Sequence, residues 1–270
     1  MFSQEIANRN RIGTMDFIYE THLHTEGVSA CASASADSYI DYMKSLGYSG
    51  IIVTDHFFTG NCAIPRNLPW EERVRRYCSG YEKALEASKG TDFTVMFGVE
   101  YFFQGDEFLL YGVDKAWLLD NPDIEAQDRF EVYRRVHQAG GIMIQAHPYR
   151  ERGYLSAIHL TPDVCDGIEV YNAANPDYQN ALGYQYAVEH GFRMTAGSDI
   201  HNFTLEDMGG MRFSHPIRSI EEFVAAFNAD EGEPVYKRDI HSSFVEFRPV
   251  SADTALTETT QQPELEVIWH

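Results

Sequence analysis

Five short apolar runs of this chain each end in a histidine, a glutamate or an aspartate. The runs cover residues 19–24, 51–56, 95–100, 142–147 and 194–201. Apolar runs of this length are typical of buried parallel strands. In a barrel of parallel strands all carboxyl ends reach one rim, so side chains that end successive strands are gathered in one place. Gathered imidazoles and carboxylates favour divalent cations, so the sequence predicts a metal centre at one rim of a barrel.

Strand and helix signals alternate along the 270 residues, which indicates an α/β fold. Strands are predicted at 17–22, 50–54, 93–99, 107–113, 141–146, 167–171 and 192–196. Helices are predicted at 37–46, 70–88, 125–139, 176–190 and 221–228. We expect one barrel domain over residues 1–250. A polar tail over 251–270 would follow, which could add a short edge strand at 265–269.

The chain is strongly acidic, with 41 acidic against 21 basic residues and a formal net charge of −20. This charge repels phosphate backbones, so we expect no long nucleic acid as a partner. The four cysteines form no Cys-x-x-Cys pair, which favours reduced thiols and a cytoplasmic protein. The sequence shows no secretory leader and no long apolar run, so we expect no membrane partner. It leaves the oligomeric state open.

The candidate ligands follow from their positions on the predicted strands. His22 and His24 are two residues apart on one strand, so both point to the same face. Glu100 ends an apolar strand, where an unpaired carboxylate would be costly to bury, and a carboxylate can bridge two ions. Asp55 is a candidate ligand or a group that orients one. The further candidate ligands are His56, His147, Asp199 and His201.

Taken in order, these motifs resemble those of the PHP (polymerase and histidinol phosphatase) family. They are His22-Leu23-His24, Thr54-Asp55-His56, Gly98-Val99-Glu100, Ala146-His147-Pro148 and Gly197-Ser198-Asp199-Ile200-His201. The resemblance implies a distorted seven-stranded (β/α) TIM-like barrel that hydrolyses phosphoesters with two or three divalent metal ions. By position it assigns one ion to His22, His24, Glu100 and Asp199. It assigns a second ion to Glu100 and His147, and a third to His56 and His201.

The sequence departs from the family pattern at two places. The family commonly has a further His or Asp shortly after the first pair, whereas this stretch here reads Glu26-Gly27-Val28-Ser29-Ala30-Cys31, so the third site is expected to be weak, vacant or differently ligated. Glu107 stands where the family commonly has a His. An oxygen ligand there favours manganese, iron or magnesium over zinc, and all four metals remain candidates.

The expected chemistry is the attack of a metal-activated water, since no side-chain nucleophile motif is present. Asp55, His201 or a bound water is expected to supply the proton for the leaving group. Arg150 and Arg152 follow His147 on one loop and are candidates to bind the phosphate oxygens. Tyr171 and Asn172 end a predicted strand and are candidates to contact the leaving group.

Four functions fit this pattern. The first is a phosphomonoesterase acting on a small phosphorylated metabolite, similar to histidinol phosphatase. The second is a phosphodiesterase or nucleotidase acting on nucleotides or short oligonucleotides. The third is a C–N hydrolase, which is disfavoured because no lysine ends a ligand-bearing strand. The fourth is a metal-binding regulatory domain without turnover.

Overall fold

The computed structural model of the protein describes residues 16–242, 246–251 and 261–270. Numbered in chain order, its strands are β1 (Phe17–Leu23), β2 (Gly50–Val53), β3 (Thr94–Phe102), β4 (Glu107–Tyr111), β5 (Ile142–Ala146), β6 (Ile158–Leu160), β7 (Gly167–Asn172), β8 (Arg193–Gly197), β9 (Met208–Phe213), β10 (Glu233–Lys237), β11 (Arg248–Pro249) and β12 (Val267–Trp269). The α-helices are α1 (Tyr39–Leu46), α2 (Trp70–Tyr77), α3 (Ser79–Ser88), α4 (Lys115–Asp120), α5 (Arg129–Gln138), α6 (Asp177–His190) and α7 (Ile220–Asn228).

Ten of these strands form one mixed sheet in the order β11-β10-β9-β1-β2-β3-β4-β5-β7-β8. Strands β1 to β3 are parallel, as are β5, β7 and β8, while β4 and β9 run antiparallel to their neighbours. The sheet curls until the segment after β8 meets β1, where Leu23 pairs with Ile200. The predicted α/β class is confirmed. The predicted count of seven strands is not, because this sheet holds ten among the described residues.

Apolar side chains explain why the strands are buried. All four residues of β2 are buried, as are all of β5 and β7. The helices pack apolar faces on this sheet, for example Val132 and Val136 of α5 and Phe223 and Phe227 of α7. Burying such a side chain contributes about 1.5–3 kcal/mol. The apolar strands thus form the core, and their ends carry the polar residues.

Two predicted helices differ from the observed ones. Residues 70–88 form two helices that meet at Cys78, and the second helix packs closely on the chain after β1. A Cβ atom added to Gly80 would lie 2.1 Å from Thr25 Oγ1, so only glycine permits this approach. The helix predicted from residue 125 begins at Arg129, because the Asp128 side chain accepts the N–H of Glu131 and caps the helix there.

Some strands were not predicted from the sequence. β9 and β10 extend the sheet beyond β1, and β6 pairs in parallel with β12 near the end of the chain. β12 lies within the range where a short strand was expected, whereas residues 252–260 lie outside the described residues, so the tail boundary stays a prediction. Among the described residues no helix combines the length and apolar character needed to cross a bilayer.

Candidate metal centre

The predicted ligands meet at one end of the curled sheet. Atom Nε2 of His22 lies 3.0 Å from Oε1 of Glu100. Atom Nε2 of His147 lies 3.2 Å from the same oxygen. On the other side, Nε2 of His24 lies 3.1 Å from Oδ1 of Asp199. Side chains from β1, β3 and the ends of β5 and β8 therefore converge, as the strand-end pattern predicts.

The donor atoms group into overlapping sets of three, and within each set they lie within 4.8 Å of one another. The sets are His22–His24–Asp199, His22–Glu100–His147, His56–Glu100–Glu107 and His24–His56–His201. Glu100 faces different partners with its two oxygens, Oε1 at 3.0 Å from His22 and Oε2 at 2.5 Å from His56, which is the position expected of a bridging carboxylate. Glu107 lies 3.5 Å from Nε2 of His147, so it faces the cluster from β4.

Several buried nitrogen and oxygen atoms of this cluster that could bind a metal have no hydrogen-bond partner among the described residues. They are His22 Nε2, His24 Nε2, His56 Nδ1, Glu100 Oε2 and Asp199 Oδ1. Each such atom costs about 1–3 kcal/mol when buried without a partner. Atom Nδ1 of His56 even lies 2.5 Å from Oε2 of Glu100 without hydrogen-bond geometry. Convergent unpartnered nitrogen and oxygen atoms fit divalent cations, since each cation would satisfy several of them at once.

Neighbouring groups orient the first two imidazoles. Oε1 of Glu169 accepts from Nδ1 of His22 at 2.9 Å, because a carboxylate can only accept. The hydroxyl of Ser29 donates its single proton to Asp55, so it accepts from Nδ1 of His24 at 3.0 Å. When either ring is neutral, its proton therefore lies on Nδ1 and its Nε2 lone pair faces the cluster, as a metal ligand requires.

The carboxylate of Asp55 is not among the groups that line the pocket. Its position therefore does not suit the expected role as proton donor to the leaving group. Its oxygens accept from Thr25 N at 2.7 Å, Thr25 Oγ1 at 2.6 Å and Ser29 Oγ at 2.6 Å. Burial raises its pKa to about 6 against these hydrogen bonds. Asp55 ends β2 with its side chain turned towards the loop after β1. There it fixes Ser29 and, through Ser29, the ring of His24.

Two of the convergent residues have unusual backbone conformations. His147 has φ = 29° and Asp199 has φ = 56°, both in the left-handed region that non-glycine residues rarely adopt. Such strain costs about 1–3 kcal/mol and is concentrated at functional sites. Gly197 permits the close approach of β8 to β1, because a Cβ atom there would lie 2.6 Å from Cβ of His22. The backbone is therefore held in the conformations that direct these side chains inward.

The charges of the cluster depend on one another. Burial favours the neutral acid, but the imidazoles of His56 and His22 outweigh it and hold the pKa of Glu100 well below its usual range. Burial likewise opposes ionisation of Asp199, and Arg150 and His22 lower its pKa well below normal. Burial and the neighbouring His201 and His56 lower the pKa of His24. The centre thus holds ionised carboxylates beside an imidazole that is available as a neutral ligand.

A pocket of about 550 Å³ opens beside the cluster. Its wall is formed by Cys31, His56, Thr59, Gly60, Asn61, Phe102, Glu107, Arg150, Tyr154 and His201. Atom Nδ1 of His201 donates to the backbone oxygen of Asp199 at 2.8 Å, which leaves Nε2 for ligation or proton transfer. Burial raises the pKa of the Cys31 thiol, but His201 and His56 outweigh it and lower this pKa to about 6.

The predicted substrate residues have different positions. One terminal nitrogen of Arg150 lies 2.5 Å from Oδ2 of Asp199 and 3.0 Å from Oδ1 of Asn172. Arg152 is not among the residues that line the pocket, and it donates to the backbone oxygen of Glu151 at 2.9 Å. Tyr171 is not brought to the pocket, because the register shift in β7 turns its buried ring towards Tyr236, 5.3 Å away.

Sequence reasoning missed three residues that support the centre: Glu20, Ser29 and Glu169. Glu20 accepts from the backbone N–H of His22 at 2.8 Å and of Ser198 at 2.9 Å. Glu169 lies in the middle of a buried apolar strand, which is the same signal that identified Glu100. Glu20 precedes His22 by two residues and so shares its face of β1. Ser29 carries no comparable local signal.

The sequence matches no protein-family model, and it matches no curated protein. The fold is similar to a two-domain protein from Bacteroides vulgatus containing a predicted PHP-like metal-dependent phosphoesterase, with a TM-score of 0.63 and 16% identity over 83% of this chain. This chain spans 65% of that protein's length. A lesion-specific endonuclease from Pyrococcus furiosus is also similar, with a TM-score of 0.51 and 12% identity over 94% of this chain and 75% of that one. At 16% and 12% identity these likenesses show a shared fold, and the first of them is with a protein predicted to be PHP-like.

Proposed function

We propose that this protein is a metal-dependent phosphoesterase that acts as a phosphomonoesterase on a small phosphorylated metabolite. The observation that carries the proposal is the set of buried, unpartnered nitrogen and oxygen atoms beside an open pocket. A cluster that served only to stabilise the fold would pair these atoms with one another or with the backbone.

The residues would hold the ions in overlapping sets. His22, His24, Glu100 and Asp199 would hold one ion. Glu100 would bridge to a second ion held also by His147 and Glu107, and His56 and His201 would hold a third. The residues assigned to the first and second ions combine imidazole nitrogen with carboxylate oxygen. This combination suits zinc, manganese or iron, and magnesium stays a candidate.

Divalent ions held in this way supply an activated water and neutralise the charge that develops on the phosphoryl group. The protein's own contribution begins with the substrate phosphate. The guanidinium of Arg150 lines the pocket. Its Nε and Nη2 contact Asn175, Asn172 and Asp199, so Nη1 is the nitrogen that would donate to the phosphate oxygens. Asn172 and Asn175 hold that guanidinium through hydrogen bonds of 3.0 and 2.9 Å, so its orientation is set before substrate arrives.

When the third site is empty, His201 is the candidate donor of the proton for the leaving group, since an ion at that site would take the same nitrogen. Its Nδ1 is fixed on a backbone oxygen, and the remaining nitrogen belongs to a side chain in the pocket wall. Burial opposes protonation, but Cys31 and Asp199 outweigh it and raise the pKa of His201, which favours the imidazolium that donates. Asp55 instead acts through Ser29 to position His24.

A second candidate function is phosphodiester cleavage. It is favoured by the fold similarity to the Pyrococcus furiosus endonuclease. The net charge of −20 disfavours a long nucleic acid, so a mononucleotide or a short oligonucleotide is the diester substrate this chain would suit.

A substrate panel separates the two candidates. Metal-stripped protein would be reloaded with Mn²⁺ or Zn²⁺ and assayed on p-nitrophenyl phosphate and on bis(p-nitrophenyl) phosphate. We expect hydrolysis of the monoester to exceed that of the diester. Faster hydrolysis of the diester would support the second candidate, and a fully loaded protein inactive on both esters would contradict a phosphoesterase.

The role of Arg150 can be tested in the same assay. Arg150→Met should lower kcat/KM for the monoester by about 10- to 100-fold, since a hydrogen bond to a charged group contributes about 1.5–3 kcal/mol. Arg152→Met is the matched comparison, because Arg152 does not line the pocket, and we expect a smaller loss. Equal losses in both variants would argue against a direct contact of Arg150 with phosphate.

A further inference from the structure

The loop after His147 carries two side chains of the pocket wall, Arg150 and Tyr154. Between them lies Glu151, which has no part in the mechanism described above. The loop leads from the end of β5 to β6, and the segment of residues 261–270 lies beside it, because β12 pairs with β6. The position of Arg150 therefore depends on what holds this loop.

The carboxylate of Glu151 connects the loop to two other parts of the chain. Its Oε1 accepts the backbone N–H groups of Glu264 at 2.7 Å and of Leu265 at 2.8 Å. Its Oε2 accepts the hydroxyl of Tyr178, in the first turn of α6, at 2.7 Å. One side chain thus joins the loop, the helix α6 and the 261–270 segment.

These partners are notable because Glu151 stands between two arginines, Arg150 and Arg152. Among the described residues its carboxylate forms an ion pair with neither of them, and Arg150 pairs with Asp199 instead. A carboxylate held by three N–H and O–H groups can turn to an adjacent guanidinium only by giving up those hydrogen bonds. Arg150 is therefore left to Asp199 and to the pocket.

The 261–270 segment is also attached at other points. The N–H of Ile158 donates to the backbone oxygen of Glu266 at 2.8 Å, and β12 pairs in parallel with β6. The ring of Trp269 packs against Tyr186 of α6, with 5.8 Å between the ring centres. Because the segment is bonded to β6 and packed on α6, it gives Glu151 a fixed point of attachment.

We propose that Glu151 is a positioning residue, which ties the pocket loop to the 261–270 segment and thereby holds Arg150 in the orientation that binds phosphate. This inference rests on the proposed function, and Glu151 itself does not line the pocket. Its loss should weaken the binding of phosphate but leave the metal ligands in place. The reason is that the backbone N–H of His147 is held separately, by Oε2 of Glu169 at 3.1 Å.

Binding of inorganic phosphate to the metal-loaded full chain tests this role. A hydrogen bond to a charged group is worth about 10- to 100-fold in affinity, and a misplaced Arg150 loses part of it. We therefore expect Glu151→Ala to weaken phosphate binding by about 10-fold at unchanged metal content. Glu151→Gln should restore most of the affinity, because the amide oxygen can accept the same two N–H groups. Glu266→Ala is the matched control, since Glu266 contacts Ile158 through its backbone.

A second variant shows whether the effect passes through the contact with α6. Tyr178→Phe removes the hydroxyl that holds Oε2 of Glu151, and we expect a smaller loss of phosphate affinity. Because both changes break the same contact, the double variant should lose no more than Glu151→Ala alone. Losses that simply add would contradict a shared role of these two residues.

Unchanged phosphate affinity in Glu151→Ala, or an equal loss in Glu151→Gln, would overturn the proposal. Loss of metal together with phosphate would overturn it too, because the change would then act on the whole site. A protein that shows the expected pattern of phosphate binding but hydrolyses no phosphoester would contradict the proposed function alone. Hydrolysis of p-nitrophenyl phosphate with an unaltered KM in Glu151→Ala would contradict only the positioning role.

Discussion

Two regions of the molecule bury charged side chains, and they do so in opposite ways. Beside helices α2 and α5, each buried guanidinium forms two parallel hydrogen bonds with one carboxylate. Arg73 bonds to Glu125 at 2.7 Å through both terminal nitrogens, and Arg129 bonds to Asp106 twice at 2.6 Å. Both guanidinium groups also lie over aromatic rings, Arg73 at 4.1 Å from the ring centre of Phe58.

The metal centre lacks this pairing. Its carboxylates and imidazoles approach one another closely, yet atoms of both kinds are left without hydrogen bonds. In the region beside α2 and α5 each carboxylate has its own guanidinium, and of the buried side-chain atoms of these two pairs only Nε of Arg73 lacks a hydrogen-bond partner, so the region is interpreted as a stabilising element. Nitrogen and oxygen atoms that lack hydrogen bonds and converge on a common point would be satisfied by a cation. The difference teaches that hydrogen-bond satisfaction, rather than the number of buried charges, separates a structural ion pair from a ligand site.

The largest effect is expected from Glu100→Gln. The amide cannot bridge two ions, so we expect loss of at least one equivalent of metal and a fall in turnover of more than about 100-fold, since groups that only orient a ligand already contribute about 10–100-fold. Elemental analysis and the phosphomonoester assay measure both quantities. Glu86→Gln, at an exposed helical position, serves as the control. Retained metal and turnover in Glu100→Gln would refute the bridging role.

Arg129→Met tests the same comparison in the region beside α2 and α5. The variant leaves the Asp106 carboxylate, whose side chain is only 1% exposed, without its cation. Breaking a buried pair in this way costs about 3–5 kcal/mol of unfolding free energy, whereas metal uptake should persist. Urea unfolding measures the loss. The exposed pair of Arg134 and Glu131 gives the control, since Arg134→Met should cost only about 0.3–0.5 kcal/mol. A stable Arg129→Met protein that fails to bind metal would reverse the assignment of the two regions.

A pH experiment on Glu20 tests how strongly burial shifts the pKa of one carboxyl group beside the centre. Burial raises the pKa of Glu20 to about 7 from 4.5, although Ser198 and His22 donate hydrogen bonds to it. The folded protein therefore holds this proton more tightly than the unfolded chain, and the resulting stability is lost as pH rises from about 4.5 through about 7. Glu20→Gln removes this loss. On metal-stripped protein, the unfolding free energy of the variant relative to the unaltered chain should rise by up to about 3 kcal/mol across that window. A pH-independent difference would show that Glu20 is ionised in the fold throughout.

The smallest effect is expected from Glu169→Gln. The amide can still accept from Nδ1 of His22, but it carries no charge and orients the ring less firmly. We expect metal affinity to fall by about 10–100-fold without loss of the site. Competition with a chelator measures the affinity. A complete loss of metal would make Glu169 a ligand in its own right.

The sequence predicted the parts of the site that depend on local patterns. His22 and His24 on one strand, and Glu100 at an apolar strand end, are signals contained in a few residues. The predicted gathering of these side chains at one rim follows from the parallel strand order, which the structure has between β1 and β3 and between β5 and β8.

The remaining features depend on contacts between distant segments. Ser29 supports His24 only because Asp55, 26 residues further on, takes its proton. Tyr171 was expected at the pocket, and the register shift that turns it away leaves no mark in the sequence. β9 lies close to β1 and β8 because it contains the consecutive glycines Gly209 and Gly210. A Cβ atom there would lie 2.3 Å from the backbone oxygen of Gly197 and 2.7 Å from that of Tyr19, respectively. Such contacts are set by tertiary packing, which local propensity does not contain.

The carboxylate of Asp199 has one further consequence. Its Oδ2 contacts Arg150, while its Oδ1 faces the imidazoles of His22 and His24. A single side chain therefore sets the spacing between the guanidinium proposed to bind phosphate and the first proposed cation site. A mutation that moved Arg150 outward to admit a bulkier anion would also displace Asp199, a proposed ligand of the first ion. Adaptation to new substrates is then expected to proceed through other side chains of the pocket wall, such as Tyr154, which is 74% exposed.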